Sequence, residues 1–253
     1  MSLARENRTV HINARGVYYR ELNDQIRQCM RAGAEEIFLD NINGQYYIGS
    51  GLRAKVKIIV NGVPGNDLGA FMDGPTIIIK GNAQDNIGNT MNSGKIVVHG
   101  HAGDVLGYSM RGGKLLIKEE VGYRVGIHMK GYKSQVPSIV IGGCAGNFLG
   151  EYMAGGILVV LGIDQSEPGS CVGDYLGTGM HGGTIYVRDE VEISRCGKEV
   201  GIKKVMLAEE PELKEVVADF CQEFGLALEP FQQQYFAKVV PVTSRPYGRL
   251  YVY

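Results

Sequence analysis

The chain has 253 residues, of which 44% are apolar, enough to bury the core of one large domain or two small ones. Its 26 basic and 27 acidic residues leave a net charge of -1, so the composition offers no electrostatic footprint for nucleic acid or an anionic membrane. No stretch of about 18 apolar residues occurs and the first residues lack a signal peptide's apolar core, which predicts a cytoplasmic protein without a membrane span.

The first part of the chain, residues 1–42, predicts a strand–helix–strand unit. Residues 9–13 and 37–39 are short runs typical of strands, and residues 19–32 carry an apolar stripe at helical spacing. Gly33 is the residue type that commonly follows a helix end. We expect this unit to cap the start of the segment that follows, because an open sheet end exposes unpaired backbone groups.

One repeated phrase fills the middle of the chain, residues 43–190. Each copy contains a glycine, named here the register glycine, and successive register glycines are 20, 19, 19, 19, 24 and 27 residues apart. A fixed period near 19 predicts a solenoid, whose turns must stack because no single turn can bury its own apolar face. The register glycines are Gly49, Gly69, Gly88, Gly107, Gly126, Gly150 and Gly177.

Two slots of the phrase are apolar in every copy. The residue before the register glycine is always aliphatic, and the third residue after it is methionine in all copies except the first, which has Leu52. A thioether ladder for a soft metal is one interpretation, but methionine more often fills core gaps, and Leu52 would interrupt such a ladder. We therefore predict that both slots face the core. The methionines are Met72, Met91, Met110, Met129, Met153 and Met180.

After a pair of small residues, mostly glycines, each copy carries a short aliphatic, β-branched run that is typical of a strand. With one strand per turn and no helix between, successive strands must pair in parallel. The prediction is a mainly β fold, a right-handed parallel β-helix of about seven turns and about 34 Å, with small α/β terminal segments. Insertions at residues 133–137 and 164–170 enlarge two turns, and we expect them to project as loops.

The last part of the chain, residues 191–253, changes character. Residues 211–224 predict an amphipathic helix that begins at a proline and is followed by Gly225. Residues 236–241 resemble a strand, and the aromatic tail at residues 244–253 is expected to dock on the body of the protein. This segment would cap the second open end of the solenoid.

The five cysteines are odd in number and contain no CxxC pair, which disfavours a disulfide framework or a zinc site. Cys144 and Cys171 each lie six residues before a register glycine, so they should stack on neighbouring turns. Their Cα atoms would then be about 5 Å apart, near disulfide range. In a reducing cytoplasm we expect two free thiols.

Three other patterns resemble functional sites, and each has a structural interpretation that we favour. Residues 177–182 have the Gly-x-Gly-x-x-Gly spacing of a dinucleotide fingerprint, but a strand follows them where the fingerprint needs a helix. The five histidines occupy different slots, which gives no metal-ligand spacing. A row of small acceptors shares one slot and is expected to hold turn backbone, so we predict no catalytic, cofactor or metal residues. This row is Asn66, Asp85, Asp104, Asn147 and Asp174.

The clearest copies of the phrase are residues 103–113 and 146–156, and the Glu-Tyr-Met-Ala-Gly-Gly segment lies in the second. These units resemble the GXGXG β-helix domain at the C-terminal end of the glutamate synthase large subunit, and more distantly the corresponding subunit of formylmethanofuran dehydrogenase. The resemblance covers about residues 40–190. It implies a stand-alone, non-catalytic scaffold subunit between a glutamine amidotransferase chain and a synthase chain. FMN and the iron–sulfur cluster would belong to the synthase chain, with no cofactor on this one.

Two alternatives stay open. The same scaffold could serve a formylmethanofuran dehydrogenase-type molybdenum or tungsten complex, which differs in its partners. The second is an independent carbohydrate-active enzyme, because many right-handed β-helices process polysaccharides, although the short insertions and missing signal peptide disfavour it. Whether the chain also forms a homo-oligomer is not decided by these patterns.

Overall fold

The computed structural model describes residues 8–163, 170–188 and 190–242. The predictions for the tail at residues 244–253, and for nearly all of the insertion at residues 164–170, lie outside the described residues. The elements in chain order are β1 (Thr9–Asn13), α1 (Tyr19–Arg31), β2 (Glu36–Asn43), β3 (Lys57–Val63), β4 (Asp73–Ile79), β5 (Ser93–Val98), β6 (Lys114–Ile117), β7 (Ser138–Ile141), β8 (Ala154–Val160), β9 (Gly182–Arg188), β10 (Val200–Met206), α2 (Pro211–Phe224), α3 (Glu229–Gln232) and β11 (Tyr235–Pro241).

Strands β1 to β9 form one parallel ladder in chain order, which confirms the mainly β solenoid. The connections between them contain the register glycines, and inward residues pair with their equivalents one turn later, as Ile58 does with Ile77 and Ile77 with Ile96. The solenoid has about six turns, slightly fewer than predicted. The register of the ladder shifts in three strand pairs: in β2–β3 between Leu39 and Ile42, and in β4–β5 and β8–β9 near the start of the strands.

The core lies inside the coil because strand residues alternate between inward and outward faces. Two inward residues per strand build continuous rows, for which Leu115 and Ile117 of β6 are typical and fully buried. Each such side chain contributes about 1.5–3 kcal/mol by leaving water. Since the rows are formed by neighbours one period apart in sequence, the repeat itself specifies the packing.

The outward face of the sheet carries a third apolar row. This row includes Leu116, Val140 and Val159, and it forms a second core with α2. Helix α2 has Pro at its first position and Gly225 in the left-handed conformation after its end, as predicted. The helix crosses the strands from β9 towards β5. Its start lies at β9, where the Tyr186 hydroxyl donates a hydrogen bond to Glu210.

The end of α2 is fixed by two ion pairs to the sheet. Glu223 pairs with Lys95 of β5, and Asp219 pairs with Lys114 of β6. The lysines occupy the same strand position one turn apart, and the acids are four residues apart on one helix face.

The strand predicted near the C-terminus is confirmed, but its position differs from a simple continuation of the coil. β11 lies between β9 and β10 and is antiparallel to both. Strand β10 therefore becomes the edge of the sheet. Within the described residues, no helix combines the length and the apolar character needed to cross a bilayer.

The prediction of two free thiols at Cys144 and Cys171 is wrong for this structure, which contains a disulfide between them. The two cysteines occupy the same slot on consecutive turns, and stacking brings their Cα atoms to 4.6 Å. That separation lies within the range a disulfide requires. The geometry was therefore predicted correctly, and the oxidation state was not.

Candidate functional site

The register glycines and the methionine slot build the interior of each corner. All seven register glycines have positive φ, and at Gly126 a Cβ atom would lie 2.6 Å from Leu158 of a later turn. All six methionines of the repeat have no exposed surface. The methionine slot therefore contributes thioethers to the core and presents none of them to solvent.

The dinucleotide-like motif at residues 177–182 lies in the corner before β9. Its last glycine, Gly182, is already the first residue of that strand, and no helix follows. The backbone N–H groups therefore do not form the helix N-terminus that holds a pyrophosphate.

The acceptor row holds the corners together from turn to turn. The Asp85 carboxylate accepts a hydrogen bond from the backbone N–H of Asp104 at 2.9 Å, and Asp104 accepts one from Tyr123 at 3.0 Å. Asn147 does the same for Asp174 at 2.9 Å. These side chains satisfy backbone donors that the coil would otherwise leave open, as the sequence predicted.

The histidines are dispersed, as their slots predicted. His11 stacks on Phe38, and His99 lies beside Lys80 with ring and ammonium nitrogens 3.3 Å apart. Burial, followed by the Lys80 charge, lowers the pKa of His99. Across residues 8–163, 170–188 and 190–242, no group of three His, Cys, Asp or Glu side chains is arranged to hold a metal ion.

The Tyr186–Glu210 pair has altered acidity and serves the C-terminal packing. Burial raises the pKa of the Tyr186 hydroxyl, as does the hydrogen bond that it donates to Glu210. For Glu210 burial acts to raise the pKa, but the hydrogen bonds from Lys238 and Tyr186 outweigh it and hold the pKa below its ordinary value. This cluster joins the start of α2 to β9 and β11.

The free cysteines of the described residues are Cys29, Cys196 and Cys221. Burial raises the pKa of the Cys196 and Cys221 thiols, which reduces the thiolate fraction at neutral pH.

A groove of about 300 Å³ lies where α2 meets β5 and β6. Lys95 and Lys114 line it, and their charges are already paired with acids of α2. The groove is thus part of the helix docking surface.

A different feature emerges at the corners of the later turns. The residues two before and two after each register glycine have positive φ, a conformation that costs a non-glycine residue of order 1–3 kcal/mol. In the row two before, Arg124, Phe148 and Tyr175 stack on successive turns. The Arg124 guanidinium lies 4.8 Å from the Phe148 ring centroid, and the Phe148 and Tyr175 rings are 4.7 Å apart and nearly parallel.

A second stack runs beside the first. The His128 and Tyr152 rings, two after their register glycines, are 5.3 Å apart and nearly parallel, and Tyr108 contacts His128 edge-on at 5.8 Å. The two stacks are connected because the Arg124 guanidinium donates a hydrogen bond to Glu151, next to Tyr152, at 2.9 Å. We name this surface the aromatic patch. Its residues are Tyr108, Arg124, His128, Phe148, Tyr152 and Tyr175.

Sequence reasoning missed the aromatic patch. A signal existed, because large planar side chains fill both corner slots of the fifth and sixth copies of the repeat and the first slot of the seventh copy. Earlier turns mix such side chains with smaller polar residues, including Asp67, Asn86 and Thr90. The slots were not recognised as exposed, because a sequence does not show that both corners adopt positive φ and point outward. The stacking also depends on ring orientation.

Comparison with known proteins gives three findings. A family model described as the GXGXG motif matches residues 19–242. An uncharacterized protein of Methanocaldococcus jannaschii, MJ1350, is 44% identical over 250 residues, which is 96% of each chain. The formyltransferase/hydrolase complex FhcABCD from Methylorubrum extorquens, solved with methylofuran, contains a similar chain. Its TM-score is 0.61 at 19% identity, covering 84% of this chain and 76% of that one.

At 19% identity the structural likeness concerns the fold, and it agrees with the solenoid found here. The family match extends from α1 to the residue that follows β11 and includes every register glycine. It confirms the resemblance inferred from the repeated Gly-x-x-x-Gly-x-x-Met-x-Gly-Gly units. The chain belongs to the GXGXG motif family.

Proposed function

We propose that this protein is a non-catalytic scaffold subunit of a split glutamate synthase. It would hold a glutamine amidotransferase chain and a synthase chain together in the cytoplasm, with FMN and the iron–sulfur cluster on the synthase chain and no cofactor on this one. The observation that carries the proposal is the GXGXG match over residues 19–242, joined to the Glu-Tyr-Met-Ala-Gly-Gly segment at residues 151–156.

The structure supports a scaffold role through the character of its surface and interior. The repeated side chains that the sequence makes most regular, the aliphatic and methionine slots, are buried. The titratable groups with altered pKa at Tyr186 and Glu210 are joined to each other and hold α2 in place. The repeat thus builds a stiff body, and its corners present large side chains outward.

Purification of the complex at native expression level tests the proposal. A tag on this chain should recover an amidotransferase-like chain and a flavin-containing chain in stable proportion, and flavin absorbance should follow the second of these. Glutamine-dependent glutamate formation should be found in the recovered complex and lost when this chain is removed. Recovery of the chain without either partner would overturn the proposal.

A second candidate is supported by the solved structural neighbour. Since that neighbour belongs to a formyltransferase/hydrolase complex with methylofuran, this chain could be a scaffold in a formylmethanofuran dehydrogenase-type complex. The same purification distinguishes the two. Co-purified molybdenum or tungsten, measured by elemental mass spectrometry together with a metal-binding chain, would favour the second candidate over glutamate synthase.

A further inference from the structure

The aromatic patch places large side chains where the backbone favours small ones. Phe148, Tyr152 and Tyr175 all have φ between 52° and 64°, the left-handed region that glycine and asparagine tolerate best. Equivalent corners of earlier turns include Asp67 and Asn86, which suit that conformation, although Tyr47, Phe71 and Val105 also occupy such corners. Backbone preference therefore does not explain the aromatic choice in the later turns.

Two of these side chains are exposed, and Phe148 is half-buried. Tyr152 and Tyr175 have relative exposures of 45% and 55%. A contiguous exposed apolar surface of this kind commonly marks an interaction site in a soluble domain. Tyrosine and arginine are also the residue types enriched at the energetic centres of protein–protein interfaces. Both costs, the backbone conformation and the exposure of rings to water, would be offset if the patch were covered.

The charges of this surface indicate what would cover it. Arg124 is paired with the nearly buried Glu151 at 2.9 Å, and at the end of the patch Arg195 is paired with Asp174 at 2.8 Å. The ionic groups thus satisfy each other and offer no net charge to a partner. What remains available is ring faces and tyrosine hydroxyls, which fit apolar side chains and backbone carbonyl groups.

We propose that the aromatic patch docks an apolar, uncharged segment of a different protein chain in the same complex. The proposal rests on the proposed function in one respect: it requires that a partner chain exists. It does not depend on which complex that chain belongs to. The rings of successive turns form the floor of the contact, and the Arg124–Glu151 pair joins the two stacks.

The test uses asparagine, because asparagine tolerates positive φ. The double variant Tyr152→Asn/Tyr175→Asn removes two rings, and Phe71→Asn is the matched control. Phe71 occupies the same corner slot as Tyr152, with φ of 58° and 56% exposure, but lies outside the patch. Tagged chains are purified at native level, partner chains are quantified by mass spectrometry, and the melting temperature of each isolated chain is measured.

We expect partner recovery to fall at least about tenfold in the double variant, the scale expected when aromatic anchors are removed, and to stay within about twofold in the control. Melting temperatures should remain close to that of the wild-type chain. A double variant that melts earlier but keeps its partners would show that the stacks are purely structural and would overturn the proposal.

A photo-crosslinking residue at position 152 identifies the occupant. In the complex formed by a chain with this single substitution, crosslinked peptides should come from a different chain and be poor in charged residues. Peptides from a second copy of this chain, or peptides rich in acidic or basic residues, would refute the assignment.

The purification also separates this inference from the proposed function. If the partners depend on the patch but are not an amidotransferase and a flavin protein, the proposed function alone is rejected. Patch-independent recovery of those two chains would reject this inference alone, and a chain that recovers no other protein would reject both.

Discussion

A single acceptor atom connects one turn to the next at several corners of this protein. The Asp104 carboxylate accepts the N–H of Tyr123, and Asn147 does the same for Asp174. Aspartate and asparagine therefore have the same structural role in this slot, which is to place an acceptor oxygen opposite a backbone N–H of the next turn. The negative charge of Asp104 is not required for that role.

The Asp104→Ala variant should lose about 1 kcal/mol of unfolding free energy, because the Tyr123 N–H loses its acceptor. The Asp104→Asn variant keeps an oxygen at the same place and should retain nearly all of the stability. Urea unfolding of the three proteins measures the difference. Equal losses in both variants would show that the charge, and not the acceptor, is what matters.

The methionine slot makes a second prediction for single residues. Met129 is fully buried, so Met129→Ala should cost about 2–5 kcal/mol through lost packing and the cavity left behind. Met129→Leu is the matched control and should cost less than about 1.5 kcal/mol, since the first turn already has Leu52 in this slot. Chemical denaturation checks both values, and a small loss for alanine would contradict the core assignment.

At the scale of single residues, the sequence predicted the features that repeat along the chain. The inward methionines and the acceptor row recur from turn to turn, so stacking converts their spacing directly into contacts. The disulfide between Cys144 and Cys171 was predicted as a juxtaposition but not as a bond, because oxidation depends on conditions that the residues do not encode. The aromatic patch was missed because ring orientation and backbone φ at the corners carry no periodic hydrophobic signal.

At the scale of elements, α2 is held by apolar contacts in its middle and by charges at its two ends. Glu210, immediately before the helix, accepts hydrogen bonds from Tyr186 at 2.9 Å and Lys238 at 2.8 Å. Asp219 and Glu223 pair with lysines of β6 and β5 near the other end. The helix position along the sheet is therefore specified independently at each end.

The pKa of Glu210 makes α2 docking depend on pH. Because its pKa in the folded state lies below the ordinary value of 4.5, ionised Glu210 stabilises the fold above that pH, and this contribution is lost as pH falls through the folded-state pKa. Glu210→Gln should cost about 2 kcal/mol at pH 7 and progressively less in acid. Unfolding free energies measured from pH 3 to pH 7 test this, with the exposed Glu215→Gln as control. A cost independent of pH would contradict it.

The disulfide joins two consecutive turns on either side of an enlarged connection of 27 residues. Closing a loop of that length in the unfolded chain should stabilise the protein by about 3.5 kcal/mol. Cys171→Ser should show this loss without reductant and no difference from wild type with reductant, while Cys196→Ser should show none in either. Alkylation of the unfolded wild-type chain should label three cysteines before reduction and five after it. Five labels before reduction would refute the bond.

Strand prediction at this scale succeeded where one strand follows another in the coil. It did not predict that β11 would lie between β9 and β10, because an antiparallel insertion is formed by residues far apart in sequence with no shared period. The pairing of Ala237 with Val187 and with Lys204 is such a long-range choice. The helix at residues 211–224 was recognisable because its proline, apolar stripe and following glycine are local signals.

The strands of the described residues form one ladder with two edges, β1 and β10. An exposed edge strand can pair with another molecule unless its side chains oppose the approach. Lys203 and Lys204 are exposed in the middle of β10. Their charges oppose the pairing of this edge with an apolar strand of another molecule.

Replacing both lysines, as Lys203→Val/Lys204→Val, should make the protein self-associate more strongly than wild type as its concentration rises. The reason is that valine favours strand pairing and removes two charges from the edge. Sedimentation velocity over a concentration series measures the effect, with Lys118→Val as a control for an exposed lysine that lies outside the strands. Unchanged sedimentation would show that other features protect this edge.

The ion pairs between α2 and the sheet bring together two different repeat distances, the rise along a helix and the spacing between strands. Four residues of helix advance about 6 Å from Asp219 to Glu223, whereas the matching lysines on β6 and β5 are one strand spacing, about 4.8 Å, apart. The flexible lysine side chains absorb a mismatch of about 1.2 Å, but it would double at a third pair. The helix rise and the strand spacing therefore match at one place only, and the distance between paired groups grows on either side of it. A helix extended past Gly225 could not keep adding one ion pair per turn. The mismatch therefore limits how many successive ion pairs a helix can form with the strands of this solenoid.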